Sequence, residues 1–263
     1  MAQALIKGVI DVGLYRASEI SVSDVAAAQR RRVRRGFGVE ALEDNVAVVR
    51  TSAVIVLAVK PQILPQVLDD VRAAADGKRL FISIAAGVPI RRIARGLGEN
   101  ARIVRVMPNT PALLGMGMSV LVRGPRASRK DLMTALAIFR GIGDAVAVED
   151  EGLIDPVTGL SGSGPAYVYR FAEAMIEGGI RVGLAPDLAR RLAFQTIAGA
   201  AAMLQKTKRT PKELREMVSS PGGTTLAGLA VLEGAGFGEA IPGAISAATA
   251  RSKELGQRAM EAK

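Results

Sequence analysis

Val54-Ile55-Val56-Leu57-Ala58-Val59 is the stretch of this chain that decides its fold. A continuous run of apolar, mostly β-branched residues is typical of a strand that is buried on both faces of a parallel sheet. Lys60-Pro61 ends the strand, and a helix is predicted from there to about Ala75. Similar apolar runs at 80–84 and 103–107 predict two further strands of the same sheet.

Outward from this stretch, strands alternate with helices until about residue 150. This alternation predicts a doubly wound, Rossmann-like α/β domain over residues 1–150. From Glu151 the strand patterns stop, and helical patterns rich in Ala and Gly follow, as in Ile197–Ala202. The first of these patterns predicts one helix from Glu151 to Leu160. We therefore predict an all-α domain over residues 151–263. Its small apolar faces favour packing against a partner subunit over a plain monomeric bundle.

The composition excludes several kinds of chemistry. The sequence has no His and no Cys, so it lacks the commonest general base, the commonest metal ligand and any thiolate. We therefore predict no metal site, and catalysis would depend on a cofactor, hydroxyls, Lys or backbone groups. No signal pattern opens the chain and no apolar run could span a membrane, which predicts a cytoplasmic protein without membrane contact.

The formal net charge of +10 has three interpretations. Basic residues cluster at Arg30, Arg31, Arg32, Arg34 and Arg35. We rank a solvated helix face first, a pocket for a phosphate group second and nucleic-acid binding third, because aromatic residues for base stacking are few. We therefore expect no nucleic-acid partner.

One candidate binding edge lies at the carboxyl ends of the predicted strands, where doubly wound sheets bind ligands. The residues there are small, which allows a large flat ligand to approach the backbone closely. Asp24, after an earlier strand, could bind a ribose hydroxyl, and the Arg cluster could instead bind a 2′-phosphate. The sequence leaves that choice open.

A second candidate site is the stretch Ser219-Ser220-Pro221-Gly222-Gly223-Thr224-Thr225, between two helical patterns. Backbone N–H groups and hydroxyls at a helix N-terminus favour an anion. The simplest interpretation is a tight turn with a helix cap. Two adjacent hydroxyls at the start of an apolar helix favour a site for a small carboxylate.

Five motifs in register resemble pyrroline-5-carboxylate reductase, and the resemblance covers essentially the whole chain. They are Ala58–Pro61, Ser83–Gly87, Val106–Pro111, Leu160–Tyr167 and Ser219–Thr225. The resemblance implies a dinucleotide domain followed by a helical domain that forms a homodimer, in some members part of a decamer. It also implies hydride transfer from NADPH or NADH to the C=N carbon of 1-pyrroline-5-carboxylate, which gives L-proline.

The resemblance also implies roles for individual residues. Thr225 would hydrogen-bond the imine nitrogen, orienting or protonating it. The substrate carboxylate would bind at Ser219, Ser220, Gly222, Gly223, Thr224 and Thr225. The cofactor would contact Asn45, Ala58, Val59, Lys60, Pro61, Ala85, Ala86 and Gly87.

One departure from the family's pattern is large. Family members begin with a strand and Gly-x-Gly-Asn-Met, and here Met1 falls on the Met of that motif. We expect that the reading frame starts upstream, and that without this strand Val54–Val59 lacks one sheet neighbour.

Three alternatives to the reductase remain. The first is an inactive or scaffold-like paralogue, which the absence of the glycine loop would support. A reductase of another cyclic imine would share the same motifs. A β-hydroxyacid reductase is disfavoured because the predicted helix Pro165–Val182 lacks the catalytic Lys of those enzymes.

Overall fold

The structure, a computed structural model, describes residues 1–261. The chain forms two compact units. The first comprises Met1–Ser163 and the described residues from Ser246 onward, and the second comprises Gly164–Ile245. The predicted functional division at residue 150 concerns which part binds cofactor and which binds substrate, and it stays a prediction.

All strands of the described residues lie in the first unit, as the alternation of strands and helices predicted. They are β1 (Ser21–Ser23), β2 (Glu40–Leu42), β3 (Val54–Leu57), β4 (Leu80–Ser83), β5 (Arg102–Met107), β6 (Gly117–Arg123) and β7 (Gly143–Val148).

The strands form two sheets. β1 and β2 pair in parallel, and a five-stranded sheet has the order β3-β4-β5-β6-β7. Its pairs are parallel except for β5 and β6, which run antiparallel. A parallel pair needs a crossover of a dozen or more residues, usually a helix. Only a loop with a short 3₁₀ turn, Thr110–Leu114, joins β5 to β6, so the chain reverses direction there.

Strand β3 differs from its prediction in one respect. Its residues alternate between half-buried and buried, whereas all four residues of β4 are buried. Among the described residues β3 pairs with β4 alone. A strand at the edge of a sheet is less completely covered than a central strand, which explains why burial on both faces was wrong for β3.

Twelve α-helices occur within residues 1–261. They are α1 (Ala2–Asp11), α2 (Ala27–Phe37), α3 (Asn45–Thr51), α4 (Leu64–Val71), α5 (Ile90–Leu97), α6 (Arg129–Arg140), α7 (Ile154–Val157), α8 (Gly164–Arg181), α9 (Pro186–Lys206), α10 (Pro211–Met217), α11 (Thr224–Gly234) and α12 (Phe237–Glu261). None of them is long and apolar enough to cross a membrane.

The core of the first unit has two apolar layers, one on each face of the five-stranded sheet. Successive side chains of a strand point to opposite faces. Ile55 and Phe81 therefore pack in a layer with residues of α4 and α5, and Leu80 and Ile82 pack in a second layer with residues of α1 and α6. This arrangement matches the predicted doubly wound α/β domain.

The segment after Asp150 was predicted as one helix from Glu151 to Leu160, and that prediction was wrong. A 3₁₀ turn leads into α7, and a π turn, Thr158–Gly162, follows. Pro156 lies in the first turn of α7, where a missing backbone N–H removes no intrahelical hydrogen bond.

The second unit is helical and buries few of its own residues. Helices α8 and α9 pack closely, because a Cβ added to Gly179 would lie 3.1 Å from the Cβ of Ala189. Many large apolar side chains of this unit are nevertheless exposed to solvent in the isolated chain. They include Val168, Tyr169, Phe171, Ile180, Leu188, Leu192, Phe194, Met203, Leu204, Leu226, Val231, Leu232 and Ile241.

Candidate functional site

The first candidate group lies at the carboxyl ends of β3 and β4. Leu57 and Ser83 are partners at the end of the parallel pair, and the backbone N–H of Ile84 donates to the Leu57 carbonyl at 3.3 Å. The predicted segments Ala58–Pro61 and Ala85–Gly87 therefore begin side by side at one edge of the sheet.

The segment after β4 exposes one residue between buried neighbours. The backbone N–H of Ala85 donates to the buried Ser83 hydroxyl at 3.3 Å. Ala85 and Gly87 are buried, whereas Ala86 is exposed. Gly87 has a φ of +69°, a conformation that favours glycine. The backbone around Ala86 is thus open to a ligand.

The segment after β3 leads directly into α4. The carbonyl of Lys60 accepts the backbone N–H groups of Ile63 and Leu64 at 3.0 and 3.2 Å. The Lys60 side chain is exposed, and Ala58, Val59 and Pro61 are half-buried. This turn presents small side chains and one exposed cationic side chain at the sheet edge.

Asn45, one of the predicted cofactor contacts, opens α3. Asp44 caps the helix by accepting the backbone N–H of Val46 at 2.7 Å. The Asn45 side-chain amide donates to the Asp70 carboxylate of α4 at 3.4 Å, and Asn45 is half-buried. Its side chain therefore connects two helices and remains partly accessible.

The residues proposed for ribose or 2′-phosphate recognition are partly engaged elsewhere. The Asp24 carboxylate accepts the backbone N–H of Ala26 at 2.8 Å. Arg30 forms an ion pair with Glu43 at 2.8 Å, and Arg34 donates to the Ala41 carbonyl at 2.8 Å. These two arginines attach α2 to its surroundings, whereas Arg31, Arg32 and Arg35 are exposed.

The second candidate group forms the loop between α10 and α11, in the helical unit. Thr210 caps α10 in a reciprocal hydrogen-bonded box with Glu213. The backbone hydrogen bond to Thr210 is the largest cause that holds the pKa of the exposed Glu213 carboxyl below its ordinary value. The start of α10 is therefore well defined ahead of the candidate loop.

The geometry of this loop explains why two of its positions are glycine. Gly222 has a φ of +69°, and a Cβ on Gly223 would lie 2.5 Å from the Ser220 hydroxyl oxygen. The backbone N–H of Gly223 donates to the Ser220 carbonyl at 2.9 Å, which closes a tight turn. The turn brings the loop directly onto the first residues of α11.

Helix α11 begins at Thr224 with Gly223 at its N-cap, and no side chain caps it. The first backbone N–H groups of a helix have no intrahelical partner, so those of α11 can bind an anion. Thr225 is half-buried and Thr224 is exposed. The Ser219 hydroxyl donates to the Arg215 carbonyl at 2.7 Å, so its proton is already engaged.

An ion pair between a buried arginine and a half-buried glutamate near the first group was not predicted from the sequence. Arg105 of β5 is buried, and its guanidinium donates to Glu151 at 2.8 Å. The same carboxylate oxygen accepts the backbone N–H of Ile90 at 2.8 Å, at the start of α5. Glu151 thus fixes the end of the segment that begins at Ala85. No local pattern signals this contact, because its members are far apart in the chain.

Asn109 is a further residue to which the sequence assigned no role. Its side-chain oxygen accepts the backbone N–H of Met118 at 2.9 Å, and its amide donates to the Ser161 carbonyl at 3.1 Å. Asn109 therefore joins the loop after β5 to the π turn. The position of Asn109 in the Val106–Pro111 motif was the available signal.

Two family models match the chain. One, described as pyrroline-5-carboxylate reductase dimerisation, matches residues 151–255. The other, described as NADP oxidoreductase coenzyme F420-dependent, matches residues 1–87. The match over residues 151–255 confirms that the predicted helical part is a dimerisation domain, and it accounts for the exposed apolar side chains of the second unit.

Relatives of similar length are found in distant organisms. Pyrroline-5-carboxylate reductase of Synechocystis is 42% identical over 258 residues, which cover 98% of this chain and 96% of the relative. The enzyme of the same name from Methanosarcina acetivorans is 42% identical, with 98% and 95% covered. In Arabidopsis thaliana a relative of that name is 37% identical, with 98% and 92% covered.

Solved structures show the same fold. A pyrroline-5-carboxylate reductase from Coxiella burnetii superposes with a TM-score of 0.91 at 34% identity, covering 97% of this chain and 94% of the other. The Plasmodium falciparum pyrroline carboxylate reductase, solved with NADP bound, gives a TM-score of 0.85 at 31% identity, covering 96% and 93%. The chain therefore belongs to the pyrroline-5-carboxylate reductase family.

Proposed function

We propose that this protein reduces 1-pyrroline-5-carboxylate to L-proline with NADPH or NADH, the last step of proline biosynthesis. The observation that carries the proposal is the uncapped N-terminus of α11 behind the Ser219–Thr225 loop, in a chain that belongs to this family. The substrate joins a carboxylate to a cyclic imine, and the loop offers a group suited to each.

The start of α11 would bind the substrate carboxylate. Gly223 has no side chain to occupy the first backbone N–H groups of the helix, and the positive end of the helix dipole attracts an anion. Ser220 and Thr224 are exposed and can add hydroxyl donors. Because the Ser219 proton is engaged with the Arg215 carbonyl, Ser219 would contribute mainly by holding the loop in shape.

Thr225 would act on the imine nitrogen. A cyclic imine is partly protonated near neutral pH, so it needs orientation more than a strong acid, and the chain contains no His. A threonine hydroxyl can hydrogen-bond the nitrogen and hold the ring in one orientation. The half-buried position of Thr225 limits competition from water.

The cofactor would bind at the ends of β3 and β4. The fit rests on the exposed backbone at Ala86, the left-handed Gly87 beside it and the small residues of Ala58–Pro61. Asn45 and the exposed Lys60 would contact the cofactor from the neighbouring turns. When bound, the nicotinamide supplies the hydride, and the residues of the chain supply binding and orientation.

The chain would work as a homodimer through its helical domain. Assembly of dimers into a decamer, a cytoplasmic location and the lack of a nucleic-acid partner stay predictions from the sequence. Asp24 would favour NADH through a ribose hydroxyl, and the exposed arginines would favour NADPH through its 2′-phosphate.

The test is a steady-state assay of the full chain and of two Thr225 variants. Removing one well-placed hydrogen-bond donor from an active site typically lowers kcat about 10²-fold, and we expect that loss for Thr225→Val. Thr225→Ser retains the hydroxyl and should retain most of the activity. Thr134→Val, on α6 of the first unit, is the matched control. Unchanged kcat in Thr225→Val would contradict the assigned role of Thr225.

The same assay distinguishes a pyrroline-5-carboxylate reductase from a reductase of another cyclic imine. The five-membered imine carboxylate should give the higher kcat/KM, and a six-membered analogue should react more slowly. A preference for the larger ring would reassign the substrate while leaving the reaction class unchanged.

A further inference from the structure

The last part of α12 packs on the segment predicted to bind the cofactor. A Cβ added to Gly87 would lie 3.0 Å from the Cβ of Leu255. A Cβ on Gly256 would lie 3.8 Å from the Gly87 carbonyl oxygen and 3.8 Å from the Cγ of Pro89. This part of the helix thus rests on the backbone next to Ala86.

The two ends of this segment are held by other groups. The Ser83 hydroxyl accepts the N–H of Ala85, and Glu151, paired with Arg105, accepts the N–H of Ile90. The middle of the segment has Gly87, which has wide conformational freedom. A backbone hydrogen bond from Val88 to the Ala85 carbonyl spans Gly87 at 3.4 Å, and the α12 residues packed against Gly87 constrain it further.

A side-chain hydrogen bond ties α12 to α7 near that position. Ser252 is 3% exposed, and its hydroxyl donates to the Asp155 carboxylate at 2.6 Å. Asp155 lies in α7 next to Ile154, which is buried in the apolar layer of α4 and α5. The hydrogen bond therefore connects α12 to the core one turn before Leu255.

We propose that Ser252 and Asp155 are positioning residues for the nicotinamide cofactor. By holding Leu255 and Gly256 on Gly87, they fix the backbone around the exposed Ala86 in the conformation that binds the cofactor. The inference rests on the proposed function, because it takes Ala85–Gly87 as cofactor-binding residues.

Loss of the hydroxyl should weaken cofactor binding more than it slows the chemistry. In Ser252→Ala we expect the KM and Kd for NADPH to rise about tenfold, since loss of a buried hydrogen bond to a charged group is of that size. We expect kcat to stay within about twofold of the parent, because the residue touches no reacting atom. Hydrogen exchange of the Ala86–Val88 amides should accelerate.

Three variants separate positioning from a general loss of stability. Asp155→Ala should resemble Ser252→Ala, and the double variant should be no worse than either, because both changes break one interaction. Asp155→Asn retains an acceptor oxygen and should restore most of the affinity. Arg251→Ala breaks the exposed Arg251–Glu254 ion pair on the same turn of α12 and should leave the NADPH Kd unchanged.

The readouts distinguish failure of this inference from failure of the proposed function. NADPH binding by the parent chain without turnover of the imine would contradict the proposed function only. An unchanged Kd in a folded Ser252→Ala variant would overturn the positioning role only. A parent chain that binds neither NADPH nor NADH would overturn both.

Discussion

Single glycines show how tightly parts of the first unit are packed. A Cβ on Gly8 of α1 would lie 2.5 Å from the Gly141 carbonyl oxygen and 2.5 Å from the Cγ2 of Ile142. Around Gly36 of α2 a Cβ would meet nothing within 4 Å. The same substitution at these two positions should therefore have opposite effects.

Gly8→Ala should lower the free energy of unfolding by about 2 kcal/mol, because the added methyl group overpacks the contact between α1 and residues 141–142. Gly36→Ala should raise it by about 0.5 kcal/mol, because alanine is the better helix former. Urea unfolding of both variants checks the pair. A Gly8→Ala protein with the same free energy of unfolding as the parent would contradict the described contact between α1 and residues 141–142.

The sequence shows directly which residues are small, but their contacts could not be predicted from it. The small residues of Ala85-Ala86-Gly87 predicted close approach of a ligand to the backbone, and this stays a prediction. The partner of Gly87, Leu255, lies in the last helix, and no local pattern joins the two. Such pairs depend on tertiary packing, which spacing along the chain does not encode.

At the scale of elements, the start of α6 combines a cap with an ion pair. The Asp131 carboxylate accepts hydrogen bonds from the backbone and hydroxyl of Ser128, and it pairs with Arg102 of β5. Burial raises the pKa of Asp131, but the hydrogen bonds from Arg102 and Ser128 outweigh it, so the pKa lies below its ordinary value.

A carboxyl group whose pKa is lowered in the folded state stabilises the fold above its unfolded pKa, about 3.9. That stabilisation is lost as the pH falls through the lower pKa of the folded state. At neutral pH the free energy of unfolding of Asp131→Asn should be about 1–2 kcal/mol lower than that of the parent, because charge-assisted hydrogen bonds are lost. The difference should shrink below about pH 4.

Urea unfolding at several pH values measures this difference. Asp69→Asn, an exposed position on α4, is the control and should change the free energy by less than about 0.5 kcal/mol. A difference between parent and Asp131→Asn that stays constant down to acidic pH would contradict the role of the charge.

The elements of the sheet were predictable to within a few residues, and their directions were not. Apolar runs located β3, β4 and β5 because buried strands leave a strong compositional signal. The antiparallel direction of β6 was not predictable, because direction depends on the connection, here a loop with two prolines and a 3₁₀ turn. The turns after Asp150 were read as one helix, since helical periodicity does not separate 3₁₀, α and π geometry.

At the scale of the whole molecule, the exposed apolar side chains of the helical unit require a partner surface. Leu192 of α9 is 49% exposed within the part that matches the dimerisation model. Leu192→Asp should raise the dimer dissociation constant about 100-fold, because a charge in an apolar interface must be desolvated. Sedimentation velocity over a range of protein concentrations measures this constant.

Val25, 82% exposed in the first unit, gives the matched control. Val25→Asp makes the same chemical change outside the helical unit and should leave the dissociation constant unchanged. Equal weakening by both variants would contradict an interface built from the helical unit.

The order of five motifs was enough to predict the family and the two-part architecture. Five motifs in register identify a family far more specifically than one motif alone. The same sequence left the choice between Asp24 and the arginines open. In the structure one carboxylate oxygen of Asp24 accepts the Ala26 backbone N–H, Arg30 pairs with Glu43, and Arg34 donates to the Ala41 carbonyl. The pattern of charges along the sequence could not predict these contacts.

The most direct test of the account is NADPH consumption and proline formation by the 263-residue chain supplied with 1-pyrroline-5-carboxylate. The account predicts that NADPH is oxidised with formation of one L-proline for each cofactor, and that Thr225→Val largely abolishes this turnover while the protein remains folded. A folded, dimeric protein that binds the cofactor and forms no proline would contradict it.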